Sequence, residues 1–289
     1  MAAVILSAAL HAMWNYLLRR AGGSSTVAAL SIVAEAVFLL PMAIVVLVSS
    51  GGISWPGFLG AIVVAAALAL ANYAALMAAY RRADMSLAYP VARGGVFLFL
   101  PLLGFLVFDE RLDARGWLAL SMLVAGIMML PLTRFDREAL GELGRHVRDR
   151  ALGFALLAAV ATAGYTVWDK YAIQVHDTFL YFAGYTILLG FWFAIALARS
   201  PRIEVRDEMR RHSMSILAIG VLIAVSYLLV LVALRDGTTT QVLAVRQLSI
   251  PIGVFLGWRL LRESVTGPRV MGSTLITVGC VLAALIDPS

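Results

Sequence analysis

Apolar residues run along this chain in ten blocks, each about the 17–25 residues that cross the ~30 Å hydrocarbon core of a bilayer as a helix. They are Ala2–Leu18, Thr26–Val48, Gly57–Ala79, Leu87–Phe108 and Trp117–Leu132, then Ala151–Trp168, Phe179–Ala198, Ser215–Leu234, Thr239–Leu260 and Val270–Ile286. The polar connections are short and leave no room for a soluble domain. Runs such as Ala61–Ala71 are unbroken, whereas a membrane β-strand alternates apolar and polar positions over about 10 residues. Each block is therefore predicted to be a helix, which satisfies its own backbone in lipid. The fold class is an all-α polytopic membrane protein with ten transmembrane helices.

Composition agrees. Of 289 residues, 62% are apolar and 14% charged, with a mean hydropathy of +0.91, against about 25% charged in a soluble domain. A soluble enzyme, a disulfide scaffold and a disordered chain are excluded. The first block has no basic n-region and no small-residue cleavage site, so it reads as a retained span. Cys280 is the only cysteine and lies in the last block, where packing is its expected role.

Charge sets an expected orientation. Counting Arg259 at the very end of block 9, seventeen of the 23 basic residues fall in or beside the connections after blocks 1, 3, 5, 7 and 9, and four on the other side. Cytoplasmic loops are enriched in Lys and Arg, so these connections are expected in the cytoplasm and both termini outside, in a bacterial inner membrane. The pI of 9.8 then reflects membrane orientation, and no nucleic-acid partner is expected.

Residues 133–150 are polar and divide the chain near its middle. The reading is a first five-helix repeat over 1–132, a cytoplasmic linker over 133–150 and a second repeat over 151–289. A shift of 153 aligns Arg82 with Arg235, Arg93 with Arg246, Gly104 with Gly257, Glu110 with Glu263 and Gly126 with Gly279, and a shift of 154 aligns Trp14 with Trp168. Five is odd, so the second copy enters the membrane from the opposite side. Two inverted five-helix repeats around a central cavity are typical of secondary transporters.

The stretches LHAMWN (Leu10–Asn15), SLAYPVARGG (Ser86–Gly95) and FDERLDARGW (Phe108–Trp117), with YTVWDKY (Tyr165–Tyr171), LAVRQLS (Leu243–Ser249) and LLRESVTG (Leu260–Gly267) in the second half, resemble the EamA branch of the drug/metabolite transporter superfamily. The resemblance runs over nearly the whole chain. It implies ten helices as two inverted five-helix units around a cavity, and transport of a small metabolite without naming it. Many members carry basic residues near the N-terminus and after the second span. This chain has none there, which implies the opposite orientation.

Ionisable groups inside spans are costly and usually face a cavity or a partner. Arg93 and Arg246 hold matching places in blocks 4 and 9 and could grip an anionic group in bidentate fashion. The alternative is a structural ion pair with Glu35 or Asp169. Glu35, mid-way along block 2, is a candidate coupling carboxylate that exchanges a proton, with a salt bridge to Arg93 as the alternative. Asp169 is placed to reach Arg246 across the repeats. His11 and Asn15 stand one turn apart beside Trp14 and are expected to line the cavity, as are Tyr89, Tyr165 and Trp168. Tyr73, Tyr80, Tyr185, Tyr227 and Trp192 are further aromatic candidates, with the interfacial belt as their other reading. Pro90, Pro101 and Pro251 interrupt blocks 4 and 9, each removing a backbone donor.

No GxxxxGK[ST] phosphate loop and no HExxH or Cys/His cluster appears, so neither ATP, another cofactor nor a metal is expected. The leading expectation is a secondary transporter, exporting or exchanging a small polar metabolite by alternating access, with the two arginines favouring an anionic or zwitterionic solute. A lipid-linked substrate flippase and a membrane-embedded enzyme are the alternatives. The expected partners are the small-molecule substrate, membrane lipids and a proton as coupling ion, with the chain acting as a monomer.

Overall fold

The computed structural model describes residues 1–49, 55–82, 85–132, 134 and 150–286; the side chains of residues 85–87, 89 and 150 lie outside the description. The expected linker 133–150 therefore falls almost wholly outside the described residues. Eleven helices are described: α1 (Ala2–Arg20), α2 (Ser25–Ser49), α3 (Trp55–Tyr80), α4 (Met85–Phe108), α5 (Ala114–Met129), α6 (Arg150–Val175), α7 (Thr178–Ala198), α8 (Arg202–Asp236), α9 (Thr239–Arg246), α10 (Ser249–Leu261) and α11 (Gly267–Ala284). Eight segments are long and apolar enough to cross a membrane, α9 and α10 counting together. With α1 and the 16-residue α5 they fill the ten predicted blocks.

Two elements differ from the sequence reading. Block 9 is broken. Gln247, Leu248 and Ile250 each donate to the carbonyl three residues back, to Ala244, Val245 and Gln247 at 3.0, 3.1 and 2.8 Å. Pro251 is the cause, because it has no amide to offer Gln247, four residues earlier. The basic connection before block 8 is also helical, since its Arg and Glu residues are good helix formers. It continues α8 outward to Arg202, with a kink at His212 (φ −123°, ψ 17°), and Thr26 Oγ1 donates to Glu204 at 2.8 Å to hold it on α2.

Several local features recur at a spacing of 153 residues. The Ser24 hydroxyl accepts the Thr26 and Val27 amides at the start of α2, and Asp177 accepts Leu180 N at the start of α7. Asp113 caps α5 and Thr266 caps α11. Asp109 (φ 54°) and Arg262 (φ 57°) are the non-glycine residues with left-handed backbone among those described, a conformation that commonly ends a helix.

α3 lies on α6 as α8 lies on α1, while α2 meets α7 and α5 meets α11. The α5–α11 crossing is closest at glycine. A Cβ on Gly126 would stand 2.6 Å from Gly272 O and 2.8 Å from Ile276 Cγ1, and one on Gly279 would stand 2.9 Å from Ala119 O and 3.0 Å from Leu123 Cγ. Such small residues let helix backbones approach where lipid supplies no hydrophobic drive between helices.

Candidate functional site

The helices α2, α3, α6, α7 and α8 line a partly open cavity of about 110 Å³. One water fills roughly 10–15 Å³ of such space, so the cavity holds several waters or the head of a small solute. Glu35 of α2, Asn72 and Tyr73 of α3, Tyr165 and Asp169 of α6, Phe182, Tyr185 and Thr186 of α7 and Tyr227 of α8 line it.

The two carboxylates are held differently. Asp169, 2% exposed, has a hydroxyl on each oxygen: Tyr181 Oη donates to Oδ1 at 2.6 Å and Tyr227 Oη to Oδ2 at 2.5 Å. A carboxylate so bonded is a fixed part of the wall. Glu35 is 4% exposed, and its carboxylate has no hydrogen bond or ion pair among the described residues. A buried, unpaired carboxylate facing a cavity costs several kcal/mol unless a proton or a cation joins it.

Aromatic rings cover the cavity wall. Phe182 stacks on Tyr227 with centroids 6.0 Å apart, Tyr185 meets Tyr227 edge-on at 6.4 Å, and Tyr165 lies 6.4 Å from Tyr227. Ring faces attract cations through their quadrupole. Asn72 braces α3 against α6, donating to Ala158 O at 2.8 Å and Thr162 Oγ1 at 2.7 Å.

Arg246 stands at the last turn before the break in block 9; like His11 and Trp14, which were expected to line the cavity, it is outside the cavity lining and reaches it through Tyr227. Its guanidinium lies 5.2 Å from the Tyr227 ring centroid, and Nη2 is 3.3 Å from His11 Nδ1. Its buried Nε has no hydrogen-bond partner among the described residues. Trp14 packs edge-on against His11 at 4.9 Å.

The other sequence-selected residues are placed as follows. Asn15 does not face the cavity: its Nδ2 donates to His11 O at 2.8 Å, so the side chain closes on its own helix. Trp168 also points away and donates Nε1 to Ala61 O at 3.0 Å, because it stands about 100° around α6 from its neighbour Asp169. The expected Asp169–Arg246 and Glu35–Arg93 ion pairs are not among the described salt bridges; the Asp169 oxygens are already engaged by the two tyrosines. Arg93, half-buried in α4, is not part of the cavity lining. The side chain of Tyr89 lies outside the described residues. Phe182, Thr186 and Asn72 were missed, because an isolated polar or aromatic residue in an apolar block carries no mark of which face meets the cavity.

Residues 149–285 match the EamA-like transporter family, so the resemblance read from the motifs is borne out over the second half. Over 67 residues the chain is 36% identical to the spermidine export protein MdtI of Shigella dysenteriae serotype 1 (strain Sd197), covering 23% of this chain and 62% of that protein. The corresponding protein of Escherichia coli O139:H28 is 36% identical over 66 residues, covering 23% and 61%. The chain thus spans less than two-thirds of the length of the curated relatives it matches. A crystal structure at 16% identity superposes with a TM-score of 0.74 over 98% of this chain and 95% of that one, a likeness of fold alone.

Proposed function

Proceeding from the EamA-like match over residues 149–285, we propose that this multi-pass membrane protein is a secondary transporter for a small solute bearing a protonated amine. Glu35 holds either that amine or a proton. The observation that carries the reading is the Glu35 carboxylate, unpaired among the described residues and facing an aromatic-walled cavity. A cation there gains both a counter-charge and ring faces, and an ionisable group inside a span marks a substrate or proton path. The similarity to a protein named for spermidine export, a polyamine, supports the same class.

The sequence favours an anionic or zwitterionic solute, and only the zwitterion fits this lining. A pure anion would meet two carboxylates. An amino-acid-like solute would set its amine on Glu35 and its carboxylate toward Arg246, whose Nε has no partner among the described residues, with His11, Trp14 and Tyr165 alongside. Arg93 is assigned no contact with the solute.

The caps, left-handed residues and glycine crossings that recur 153 residues apart support two inverted repeats, 1–132 and 151–289, about this site. Such a pair opens alternately to the two sides. The basic connections support an inner-membrane orientation with both termini outside. The test is flux into proteoliposomes across a proton gradient. Spermidine, amino acids and dicarboxylates are compared in the parent and in Glu35→Gln. Amine flux in the parent that is lost in the variant supports the reading; dicarboxylate flux without amine flux overturns it.

A further inference from the structure

Glu110 and Glu263 occupy the same place in the two halves. Each follows a left-handed residue, and each amide donates to a glycine carbonyl six residues back: Glu110 to Gly104 at 3.3 Å and Glu263 to Gly257 at 3.1 Å. Each carboxylate folds over that glycine, where a Cβ would lie 2.7 Å or 2.8 Å from Oε2.

Their surroundings differ. Glu110 Oε1 accepts Lys170 Nζ at 2.7 Å. The same carboxylate accepts Thr239 N at 2.9 Å and Thr239 Oγ1 at 2.6 Å. Lys170 also donates to Gly237 O at 2.9 Å and lies 5.0 Å from the Phe108 ring centroid. One carboxylate thereby ties the end of α4 to α6, to the end of α8 and to the first turn of α9, the short helix that leads to Arg246. An anion on a helix N-terminus is well placed for the macrodipole. Glu263 instead meets Arg19 of α1 at 3.2 Å, with side chains 40% and 61% exposed, where the Glu110–Lys170 pair is 7% and 11% exposed. α1 is the counterpart of α6, so each glutamate pairs with a cation from the first helix of the other half. One pair is seated and the other is loose.

We propose that Glu110 and Glu263 are alternating latches of the transport cycle. Glu110 closes the α4–α5 side of the cavity in the conformation seen. In the opposite conformation the Glu110–Lys170 pair parts, and the Glu263–Arg19 pair becomes the seated one. The two arrangements exchange equivalent contacts, which keeps their free energies close enough for a bound solute or proton to shift the balance. The proposal rests on the alternating-access reading above and names the residues that position it.

The test reads which side of the protein reaches the cavity, with no solute present. Ala69 lines the cavity and is replaced by cysteine in a Cys280→Ala background. Its reaction with a membrane-impermeant maleimide is followed from each face in oriented vesicles. Glu110→Gln is expected to raise labelling from the α4–α5 side by about fivefold or more, and Glu263→Gln to lower it. Should Glu110→Gln fail to fold, Thr239→Val keeps the ion pair, removes one donor and is expected to shift labelling the same way. Unchanged labelling from both faces despite a lower melting temperature would make Glu110 a structural cap and overturn the proposal, as would a shift in the same direction by both glutamate variants. Failure of the amine assignment would appear in flux and leave these labelling shifts intact, whereas a cysteine reached from only one face in every variant would overturn alternating access itself.

Discussion

The Tyr227 hydroxyl donates to Asp169 Oδ2 at 2.5 Å, and the ring of the same tyrosine lies beneath the Arg246 guanidinium. One side chain thus fixes a wall carboxylate from α6 and steadies the arginine at the break between α9 and α10. Because Tyr181 holds the other oxygen, Asp169 is occupied, and Glu35 is the lining carboxylate without a hydrogen bond or ion pair among the described residues.

Tyr227→Phe removes one of the two hydroxyls on a buried carboxylate. Leaving such a group short of a partner costs about 1–3 kcal/mol. The expected result is a lower melting temperature, partly restored in Tyr227→Phe/Asp169→Asn, where the charge that needed the hydroxyl is gone. Melting curves of the two variants beside Asp169→Asn check this.

The two inter-half ion pairs should differ in energy. Removing one partner of a buried pair strands the other, at about 3–5 kcal/mol, whereas exposed pairs contribute about 0–1 kcal/mol. Lys170→Met is therefore expected to destabilise strongly and Arg19→Met hardly at all. Denaturation of both variants, with Glu110→Leu/Lys170→Met as the paired removal, would measure the difference. The double variant should recover much of the loss, since it leaves no buried charge alone.

Gly126→Ala places a methyl against the backbone of α11, where its Cβ would stand 2.6 Å from Gly272 O. Overpacking of this kind costs about 1–3 kcal/mol. Gly60 in α3 has no neighbour within 4 Å, and its replacement by alanine should gain up to about 1 kcal/mol of helix propensity. Thermal melts of the two variants should move in opposite directions.

Arg246→Ala separates the two ends of the proposed solute. Loss of a charged hydrogen bond of about 1.5–3 kcal/mol corresponds to roughly 10- to 150-fold in affinity for a zwitterionic amino acid. A plain polyamine should lose little. Titrations with both ligands test the split, and equal losses for both would remove Arg246 from the site.

The span positions were legible because lipid makes long apolar blocks obligatory, and ten blocks suffice to place ten helical segments. The break at Gln247–Leu248 was not, since Leu243–Phe255 reads as one mainly apolar run and Pro251 alone does not say whether a helix kinks or stops. Glu35 stood out as a carboxylate among alanines. That it has no partner among the described residues depends on where Arg93 and Arg246 point, which no local pattern encodes. Asp169 and Trp168 are neighbours in sequence, yet one enters the cavity wall and the other bonds to Ala61, a difference set by about 100° of helix rotation. The Glu110–Lys170 contact joins residues 60 positions apart. The 153-residue offset in sequence aligns Glu110 with Glu263, and only the fold supplies the lysine.

The most direct measurement of the central claim is spermidine-dependent stabilisation of the purified protein, compared between the parent and Glu35→Gln. At about 100 times the dissociation constant a ligand adds about 2.7 kcal/mol, a clear rise in unfolding temperature. Amine binding at Glu35 predicts that rise in the parent, its loss in Glu35→Gln, and no rise in either with a dicarboxylate. Equal stabilisation of both proteins by spermidine, or stabilisation of the parent by the dicarboxylate alone, would contradict it.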